Sequence, residues 1–506
     1  MVFRKQALLL IVMVVFLVGS FLRLYRLPDT LQFLGDQGRD ALRVARVFKQ
    51  GDLLFIGPVT SIGNMYLGPL YYYFMVPWLW LTYPSPLGPA YAVAVISSLG
   101  IFLIYRWGSE MLGKKAALIA TICFAFSSVV IVYSRFSWNP NLAPVFGLLL
   151  MWALYKAWTA SLKYWLLAAL AFSVLIQLHY LAMLSILPMA IVFLLQLREL
   201  RVQKKRLKQF VVTTLASLAI VGVFLSPLVL FDLKHQFTNL KAFQQLMGGQ
   251  NSITTFKPQS NLSKVWTVIE ESHGRSMQLL ADMYFGQSRT RNTIFVIAII
   301  LLVVLPIRSQ KKLTKAQIVV LLFVLTAIAG TSLYSHNLYD HYVLYVVPSI
   351  FLLFGMIGTF LWDRAWIFGK ILVAVFVGVF VMVNVQRLEF QTASPSLQSL
   401  QSGADAIASS LSKEQLPYNV VLLSETKDYY GQNYRYFLDT IPGKEPLNPD
   451  HDDFSQAKTL VIINEEGISE EEISTLPIFE ISSFSGVTEK QTIILPNGLQ
   501  TYIWTK

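Results

Sequence analysis

Charge and cysteine are both scarce in this chain. Only 14% of its 506 residues are charged, whereas soluble globular proteins carry roughly 25%. The single cysteine, Cys123, lies inside an apolar run, which excludes a disulfide framework and a cysteine-based metal site. We expect the Cys123 thiol to be a small buried apolar group.

Hydrophobic residues are abundant: they make up 55% of the chain, and the mean hydropathy is +0.53. A membrane span needs roughly 20 predominantly apolar residues. Eleven stretches fit this requirement, and they predict an all-α polytopic membrane domain. The predicted spans are 7–24, 88–106, 116–133, 141–158, 163–180, 182–197, 210–231, 292–307, 316–334, 342–361 and 367–388.

The positions of the basic residues predict the orientation of these spans, because short loops rich in Lys and Arg stay in the cytoplasm. The clusters RELRVQKKRLK (198–208) and RSQKKLTK (308–315) are strongly basic. When the spans are counted back from these cytoplasmic clusters, the chain between the first two spans must begin and end on the outer face. The aromatic segment 68–82, which Pro77 interrupts, is therefore predicted not to cross the membrane. The N-terminal segment predicts a retained signal anchor that begins in the cytoplasm. The chain is then predicted to end on the outer face.

Four regions are therefore predicted to be external: 25–87, 134–140, 232–291 and the tail after 389. In the tail, runs at 420–424, 459–464 and 491–496 predict strands and 428–438 predicts a helix. We accordingly divide the chain into a membrane domain (1–390) and a small extracytoplasmic α/β domain (391–506). Much of the net charge of +12 then follows the positive-inside rule, and nucleic acid is not an expected partner.

The stretch LGDQGRDALRVARVFKQGD, which begins at Leu34, follows the first span directly. Its apolar residues recur at three- and four-residue spacing over 36–50, which predicts an amphipathic helix with juxtamembrane placement. The polar side begins with Asp36 at the helix N-terminus, where the helix dipole favours a carboxylate. Arg39 and Arg43 are one turn apart and can grip a phosphate. A solvated helix face with a capping aspartate is the alternative interpretation.

Further ionisable and aromatic residues are predicted at the same outer level of the membrane. Aromatic side chains at span ends are usually interfacial anchors. Carboxylates, imidazoles and guanidiniums at that depth more often mark a functional site. The candidate substrate-binding residues are Arg39, Arg135, Tyr71, His179, His235, His341 and Tyr342.

The order of these features along the chain, and the side of the membrane on which they are predicted, resemble those of the GT-C fold membrane glycosyltransferases. The resemblance is to the protein O-mannosyltransferase and lipid A aminoarabinose transferase group in particular. The resemblance covers about residues 1–390. It rests on four short motifs: GDQGRDA after the first span, GPLYYYF, the pair Ser134-Arg135, and HYVLYVVP (341–348). Each of these matches a segment at the corresponding place in the family.

The resemblance implies transfer of one hexosyl or pentosyl unit from a polyprenyl-phosphate carrier to a protein, lipid or glycan acceptor on the outer face. It implies that Asp36 is the general base and that Arg135 and Arg39 hold the lipid phosphate. Gln37 replaces the family's second acid, so the role of that acid is either lost or passes to Asp40. No acid follows Ser134-Arg135 closely, so we expect no required metal, although His235 and His341 could supply ligands. The expected location is a prokaryotic plasma membrane, as part of cell envelope synthesis.

Two other classes of protein use lipid-linked sugars. A polysaccharide polymerase or ligase would suit the large external loop 232–291, but such proteins usually carry their functional loop late in the chain. A flippase or lipid-linked sugar transporter would place polar groups at mid-span, and the predicted spans here are apolar at their centres. Internal repeats, which are common in transporters, are not evident.

Overall fold

The computed structural model describes residues 2–60, 63–248, 261–309, 313–334, 337–364, 366–449 and 452–506. Parts of the loop 232–291, which is predicted to be external, and of the basic cluster 308–315 therefore lie outside the described residues. Most of the described chain is helical. The helices of the first half are α1 Val2–Leu24, α2 Leu27–Thr30, α3 Gly35–Gln50, α4 Leu70–Thr82, α5 Leu87–Leu112, α6 Lys114–Phe126, α7 Ser128–Val132, α8 Ala143–Thr159, α9 Tyr164–Leu178, α10 Ile186–Leu200, α11 Lys204–Lys234 and α12 Thr238–Gly248.

The second half continues the helical bundle and then changes to mixed structure. Short 3-10 turns at Asn139–Leu142, Tyr180–Ser185 and Asp340–Val346 precede α8, α10 and α17. The remaining helices are α13 Asn261–Met277, α14 Met283–Phe285, α15 Arg289–Ser309, α16 Lys315–Ser332, α17 Val347–Arg364, α18 Trp366–Gln386, α19 Leu397–Ser410, α20 Gln432–Leu438, α21 Glu470–Ile473 and α22 Phe479–Ser482.

Eight of the described helical segments are long and apolar enough to cross a membrane, and α9 is a shorter apolar helix. The protein is therefore a multi-pass membrane protein. The predicted span 116–133 is divided, because α6 ends at Phe126 and Ser127 caps a new helix by accepting a hydrogen bond from the Val130 N–H. The segment 68–82 forms the 13-residue helix α4, which contains Pro77. Its length is too short for a full crossing.

One charged side chain is fully enclosed within the bundle. The Arg23 guanidinium donates hydrogen bonds to the carbonyl oxygens of Gly19 (2.8 Å), Ala125 (2.9 Å) and Phe124 (3.0 Å) and to Ser97 Oγ (3.0 Å). A buried charge without such partners would cost several kcal/mol, at roughly the scale of a lost buried ion pair. These four contacts join α1 to α5 and α6.

The region between α1 and α4 is organised around α3. The Gln37 side chain accepts a hydrogen bond from the Leu34 N–H (2.9 Å), which satisfies a free amide at the start of the helix. The helix ends at Gly51, whose φ of +78° is the left-handed conformation that favours glycine. A two-stranded hairpin, β1 Val59–Thr60 and β2 Gly63–Tyr66, separates α3 from α4. The predicted amphipathic helix 36–50 is thus confirmed to within one residue.

The C-terminal region contains a four-stranded sheet in the order β3-β4-β6-β5, where β3 is Tyr418–Leu423, β4 Thr459–Asn464, β5 Glu489–Ile494 and β6 Gln500–Thr505. Strands β3 and β4 are parallel, and β6 is antiparallel to both of its neighbours. The three predicted strands are confirmed, whereas the predicted helix 428–438 begins later, at Gln432. Gly431 starts it in the left-handed conformation, with a φ of +57°.

The C-terminal region packs directly on the region between α1 and α4. Helix α20 lies against α3, and a Cβ atom at Gly38 would collide with the backbone of Gln432 and Asn433. Around this contact, the Tyr436 hydroxyl donates to the Pro84 carbonyl oxygen at 2.8 Å. The Phe33 and Tyr436 rings meet edge to face at 5.4 Å. Because α3 is covered by α4 on one side and α20 on another, it has little solvent-exposed surface.

Candidate functional site

The first turn of α3 holds an ion cluster of two carboxylates and one guanidinium. Arg39 donates from Nη1 to Asp36 Oδ1 (2.7 Å) and from Nε and Nη2 to Asp40 Oδ1 (3.0 and 2.8 Å). The Asp36 side chain is 46% exposed, whereas the Arg39 and Asp40 side chains are 17% and 1% exposed. Arg39 therefore bridges the accessible carboxylate of Asp36 and the buried carboxylate of Asp40.

Asp40 lies at the base of this cluster. Its Oδ1 also accepts a hydrogen bond from the Tyr72 hydroxyl of α4 (2.9 Å), and its Oδ2 is buried with no partner in the part of the chain that the structure describes. Burial raises the pKa of the Asp40 carboxyl, and the charge of Arg39 acts in the opposite direction. Burial disfavours the charged form of the Arg39 guanidinium, but the carboxylates of Asp40 and Asp36 outweigh this effect and raise its pKa. Arg39 therefore stays charged. Asp40 thus anchors Arg39 and has no access to a substrate.

Asp36 and Arg39 open onto a cavity of about 360 Å³, which we call the membrane-side cavity. Several residues from the ends of the predicted spans line it: Trp138, Asn139, His179, Tyr180, His341 and Tyr342. The His341 ring lies 4.5 Å from both the Trp138 and Tyr342 rings, between centroids. The Leu181 N–H donates to His179 Nδ1 at 3.2 Å, which leaves Nε2 as the protonated ring nitrogen. Flat rings beside a carboxylate and a guanidinium offer both a stacking surface and polar contacts.

A larger cavity of about 770 Å³, the central cavity, also contains Asp36, Arg39 and His341. Its opposite wall belongs to the C-terminal region and includes Thr426, Asp428 and Tyr430. Asp428 packs against Gly35, and its Oδ2 accepts a hydrogen bond from the Gln432 N–H (3.0 Å). Burial, together with the nearby charge of Asp36, raises the pKa of the Asp428 carboxyl. The C-terminal region therefore contributes a second carboxyl to the surroundings of Asp36.

The structure brings five of the predicted site residues to the membrane-side cavity: Asp36, Arg39, His179, His341 and Tyr342. Tyr71 is buried beside it, with its hydroxyl 2.7 Å from Ser137 Oγ. His235 lies on the exposed end of α11, where its ring stacks on Phe231 at 4.0 Å and lines neither cavity.

Arg135 also lies outside both cavities. Its guanidinium donates to the carbonyl oxygens of Leu22 and Tyr25 (both 2.7 Å) and to Thr30 Oγ1. The guanidinium also lies over the Phe390 ring at 4.9 Å. These contacts fasten the segment after α7 to the end of α1, and the predicted contact with a lipid phosphate stays a prediction.

Among the residues that the structure describes, no group of three or more His, Cys, Asp and Glu side chains is arranged to hold a metal ion. The position between Asp36 and Asp40, where a cation would bridge two carboxylates, is taken by the Arg39 guanidinium. His179 and His341 face the membrane-side cavity, with ring centroids 6.0 Å apart.

Sequence reasoning missed the contribution of the C-terminal region to this site. The segment DYYGQN, which begins at Asp428, was assigned to a helix, and no spacing signal connects it to Asp36, almost 400 residues earlier. Trp138 and Asn139 were recognisable as outer residues of YSRFSWNPN, but they were not included among the candidate binding residues. Arg43 lines the central cavity one turn beyond Arg39.

Comparison with known proteins defines the class to which this architecture belongs. The family model described as dolichyl-phosphate-mannose-protein mannosyltransferase matches residues 68–227. At the level of whole sequences, none of the curated proteins matches the chain. The family match covers α4 to most of α11, the part of the chain that carries His179 and Trp138.

Several solved structures share the fold over nearly the whole chain. ArnT from Cupriavidus metallidurans bound to undecaprenyl phosphate aligns with a TM-score of 0.58 at 14% identity, covering 99% of this chain and 97% of that one. Its apo form aligns with a TM-score of 0.59 at 14% identity, covering 99% and 98%. The archaeal oligosaccharyltransferase AglB from Archaeoglobus fulgidus, in complex with an inhibitory peptide and a dolichol-phosphate, gives 0.54 at 13% identity, covering 99% and 74%.

The protein therefore has the GT-C fold of membrane glycosyltransferases. Within that fold it resembles the protein O-mannosyltransferase and lipid A aminoarabinose transferase group, as its sequence motifs predicted. At these levels of identity the structural likeness establishes the fold.

Proposed function

We propose that this protein is an integral membrane glycosyltransferase that moves a single sugar from a polyprenyl-phosphate carrier to an acceptor on the outer face of the membrane. The observation that carries this proposal is the half-exposed carboxylate of Asp36. Arg39 holds it at the junction of two cavities that are lined by rings and polar groups. The family match and the shared fold support the substrate class, since the solved structures of ArnT and AglB hold undecaprenyl phosphate and a dolichol-phosphate, respectively.

In this reaction Asp36 is the general base. One oxygen of its carboxylate accepts the hydrogen bond from Arg39, and the other has no donor among the described residues. That second oxygen takes the proton of the acceptor hydroxyl while the hydroxyl oxygen bonds to the anomeric carbon. The bond between that carbon and the phosphate oxygen breaks, and its electron pair leaves with the polyprenyl phosphate. Attack opposite the leaving group inverts the anomeric carbon.

The leaving phosphate needs electrostatic stabilisation rather than a strong acid, because it is already a stable anion. Arg39 and Arg43 lie on the cavity side of α3 and supply positive charge there. We place the donor sugar in the membrane-side cavity, where Trp138 and His341 offer flat surfaces at the level of the span ends. A sugar ring that packs against aromatic faces buries its apolar C–H groups there.

The decisive experiment compares purified wild type and Asp36→Asn with a panel of radiolabelled polyprenyl-phosphate sugars and a mixed acceptor extract. Removing a general base costs about 10²–10⁴-fold in rate, so we expect transfer by the wild type and a loss of about a hundredfold or more in the variant. Asp52→Asn is the matched control, because Asp52 is an exposed acid of the same external region. The role of Asp36 is refuted if properly inserted Asp36→Asn transfers sugar at the wild-type rate.

A polysaccharide polymerase or ligase is the second candidate, because the central cavity of about 770 Å³ is large enough for a longer glycan. The same assay separates the two functions. If no single-sugar donor loses its label with the wild type, while a lipid-linked oligosaccharide does, the protein is a polymerase or ligase.

A further inference from the structure

A third cavity, of about 820 Å³, lies in the C-terminal region and is called the domain-side cavity. It lies beyond the carboxyl ends of the parallel strands β3 and β4, where residues 424–426 and 465–466 line it. Ligands of α/β sheets commonly bind beyond the carboxyl ends of parallel strands. The domain-side cavity shares Leu34, Gly35 and Thr426 with the central cavity. The residue after Gly35 is Asp36, so the cavity adjoins the proposed base.

The lining of the domain-side cavity is acidic and rich in hydroxyl groups. It includes three carboxylates, Glu425, Glu465 and Glu466, and several serine hydroxyls, such as that of Ser424. Among the described residues that line it there is no Lys, Arg or His. A cavity of this charge disfavours phosphate and other anions. The polyprenyl-phosphate donor therefore does not suit it, whereas a neutral ligand with many hydroxyls does.

One buried side chain in the cavity wall is incompletely hydrogen-bonded. Asn433 in α20 is only 3% exposed, and its Oδ1 accepts a hydrogen bond from the Tyr434 N–H at 2.9 Å. Its side-chain NH₂ group has no acceptor among the described residues, although it lines the cavity. The NH₂ group is open to the cavity, so it is available to donate a hydrogen bond to a ligand oxygen there.

A second polar group is held in place within the same wall. The Tyr434 hydroxyl donates to Glu465 Oε1 at 3.3 Å, which orients that carboxylate at the end of β4. Carboxylate oxygens accept hydrogen bonds, and the Asn433 amide donates them. The two groups together match the adjacent hydroxyls of a sugar, which both donate and accept.

Neighbouring contacts disfavour an extended peptide at this position. A peptide that added to the sheet would need free backbone groups on the edge strand β3. The Leu422 N–H already donates to the Tyr429 carbonyl oxygen (3.0 Å), and the Tyr418 carbonyl oxygen accepts from the Leu447 N–H (2.9 Å). The outer edge of β3 is therefore covered by the chain itself.

From these observations we infer that the domain-side cavity binds the acceptor, that the acceptor is an uncharged carbohydrate, and that its reactive hydroxyl reaches Asp36 past Leu34 and Gly35. The inference rests on the proposed function, because it assigns the acceptor of that same reaction. A volume of about 820 Å³ falls within the roughly 300–1,000 Å³ of small-molecule sites and admits a short oligosaccharide.

The first test measures binding to the full-length protein in detergent, without any donor. The probes are neutral disaccharides of mannose, galactose and N-acetylglucosamine, their phosphorylated counterparts, and a Ser/Thr-rich decapeptide, followed by saturation-transfer NMR. We expect at least one neutral disaccharide to bind and its phosphorylated counterpart to bind at least tenfold more weakly. No binding by any neutral disaccharide, or preferential binding of the peptide, overturns the inference.

Two variants locate the binding. Glu466→Gln removes one carboxylate from an exposed position, so it leaves the fold intact, and Asn433→Asp keeps the oxygen that caps the Tyr434 N–H but removes the donor. Each change removes about one hydrogen bond and should weaken disaccharide binding roughly two- to tenfold. Glu471→Gln changes an exposed acid elsewhere in the same region and should have no effect. Equal affinity in all four proteins refutes the location.

Transfer kinetics distinguish failure of this inference from failure of the proposed function. In the transfer assay Glu466→Gln should raise the KM for the acceptor glycan about two- to tenfold and leave kcat nearly unchanged, because Asp36 is intact. Transfer that is insensitive to Glu466→Gln refutes the acceptor site alone. Disaccharide binding that depends on Glu466, together with the absence of any transfer, refutes the glycosyltransferase function and leaves a carbohydrate-binding domain.

Discussion

The membrane-side cavity and the domain-side cavity both include residues at the start of α3, but they differ in chemistry. Two histidines, aromatic rings and the Arg39 guanidinium line the first, whereas carboxylates and hydroxyls line the second. For the proposed reaction between an anionic lipid-linked sugar and a neutral acceptor, this difference in charge favours a separate cavity for each substrate. Asp36 lines the first cavity, and its neighbour Gly35 lines the second.

The largest effect is expected from replacing Arg39, which is one of the two arginines, together with Arg135, to which the family resemblance assigns the lipid phosphate. Arg39→Gln removes the charge beside Asp36 and leaves two carboxylates without their bridge. We expect roughly a hundredfold lower kcat for transfer, the scale of losing one group that stabilises developing charge. Single-turnover kinetics with a saturating donor would measure it.

Arg135→Gln is the matched comparison. It removes hydrogen bonds to Leu22, Tyr25 and Thr30, which should destabilise the fold by about 1–3 kcal/mol and leave the rate per folded molecule nearly unchanged. An equal loss of rate in the two variants would show that Arg135 acts on the phosphate as the family resemblance implies.

A smaller effect is expected from disturbing the contact that brings the C-terminal region to the membrane domain. Gly38→Ala places a methyl group against the backbone of Gln432 and Asn433, and relieving such overpacking costs about 1–3 kcal/mol. We expect a lower melting temperature and a higher KM for the acceptor, measured in the same detergent.

Gly222→Ala controls for the change itself, because a methyl group at Gly222 in α11 meets nothing within 4 Å. If Gly38→Ala and Gly222→Ala have the same melting temperature and the same acceptor KM, the contact between α3 and α20 does not couple the two regions.

The smallest effect concerns pH. Burial raises the pKa of Asp428 in the folded protein, whereas an unfolded aspartate titrates near about 3.9. The folded state therefore binds the Asp428 proton more tightly than the unfolded state does. At low pH this difference stabilises the folded state, and the stabilisation is lost as the pH rises through the raised pKa of Asp428. We expect the melting temperature of wild type to fall more than that of Asp428→Asn between about pH 4 and about pH 8.

The exposed Asp52, changed to Asn, is the control for this titration. Identical pH profiles for wild type and Asp428→Asn would mean that Asp428 is already ionised at no cost in the folded protein.

The sequence predicts those features of the structure that depend on local patterns, and it does not predict those that depend on contacts between distant segments. The amphipathic period of 36–50 is local, and it predicted α3 and the position of Asp36 at its first turn. The charges of the loops predicted which span ends would gather His179 and His341. In both cases the predictive pattern is contained in a single segment or in the succession of spans and loops along the chain.

Long-range packing explains what the sequence did not predict. The helical period placed Asp40 on the polar side of α3, but α4 covers that side, and the Tyr72 hydroxyl becomes its partner. Asp428 approaches Gly35 only because Gly38 lets α20 come close to α3. Arg135 finds backbone carbonyls at the end of α1, and no residue pattern encodes such acceptors.

The enclosed guanidinium of Arg23 has a consequence for the order in which the chain is built. Two of its acceptors, the carbonyl oxygens of Phe124 and Ala125, are 101 and 102 residues further along the chain. At roughly 5–20 residues per second, the ribosome needs about 5–20 s to supply them. During synthesis α1 therefore enters the membrane before these two acceptors exist, when the Gly19 carbonyl oxygen of its own helix is already available to Arg23. The full set of hydrogen bonds to Arg23 forms only after α6 has been inserted beside α1.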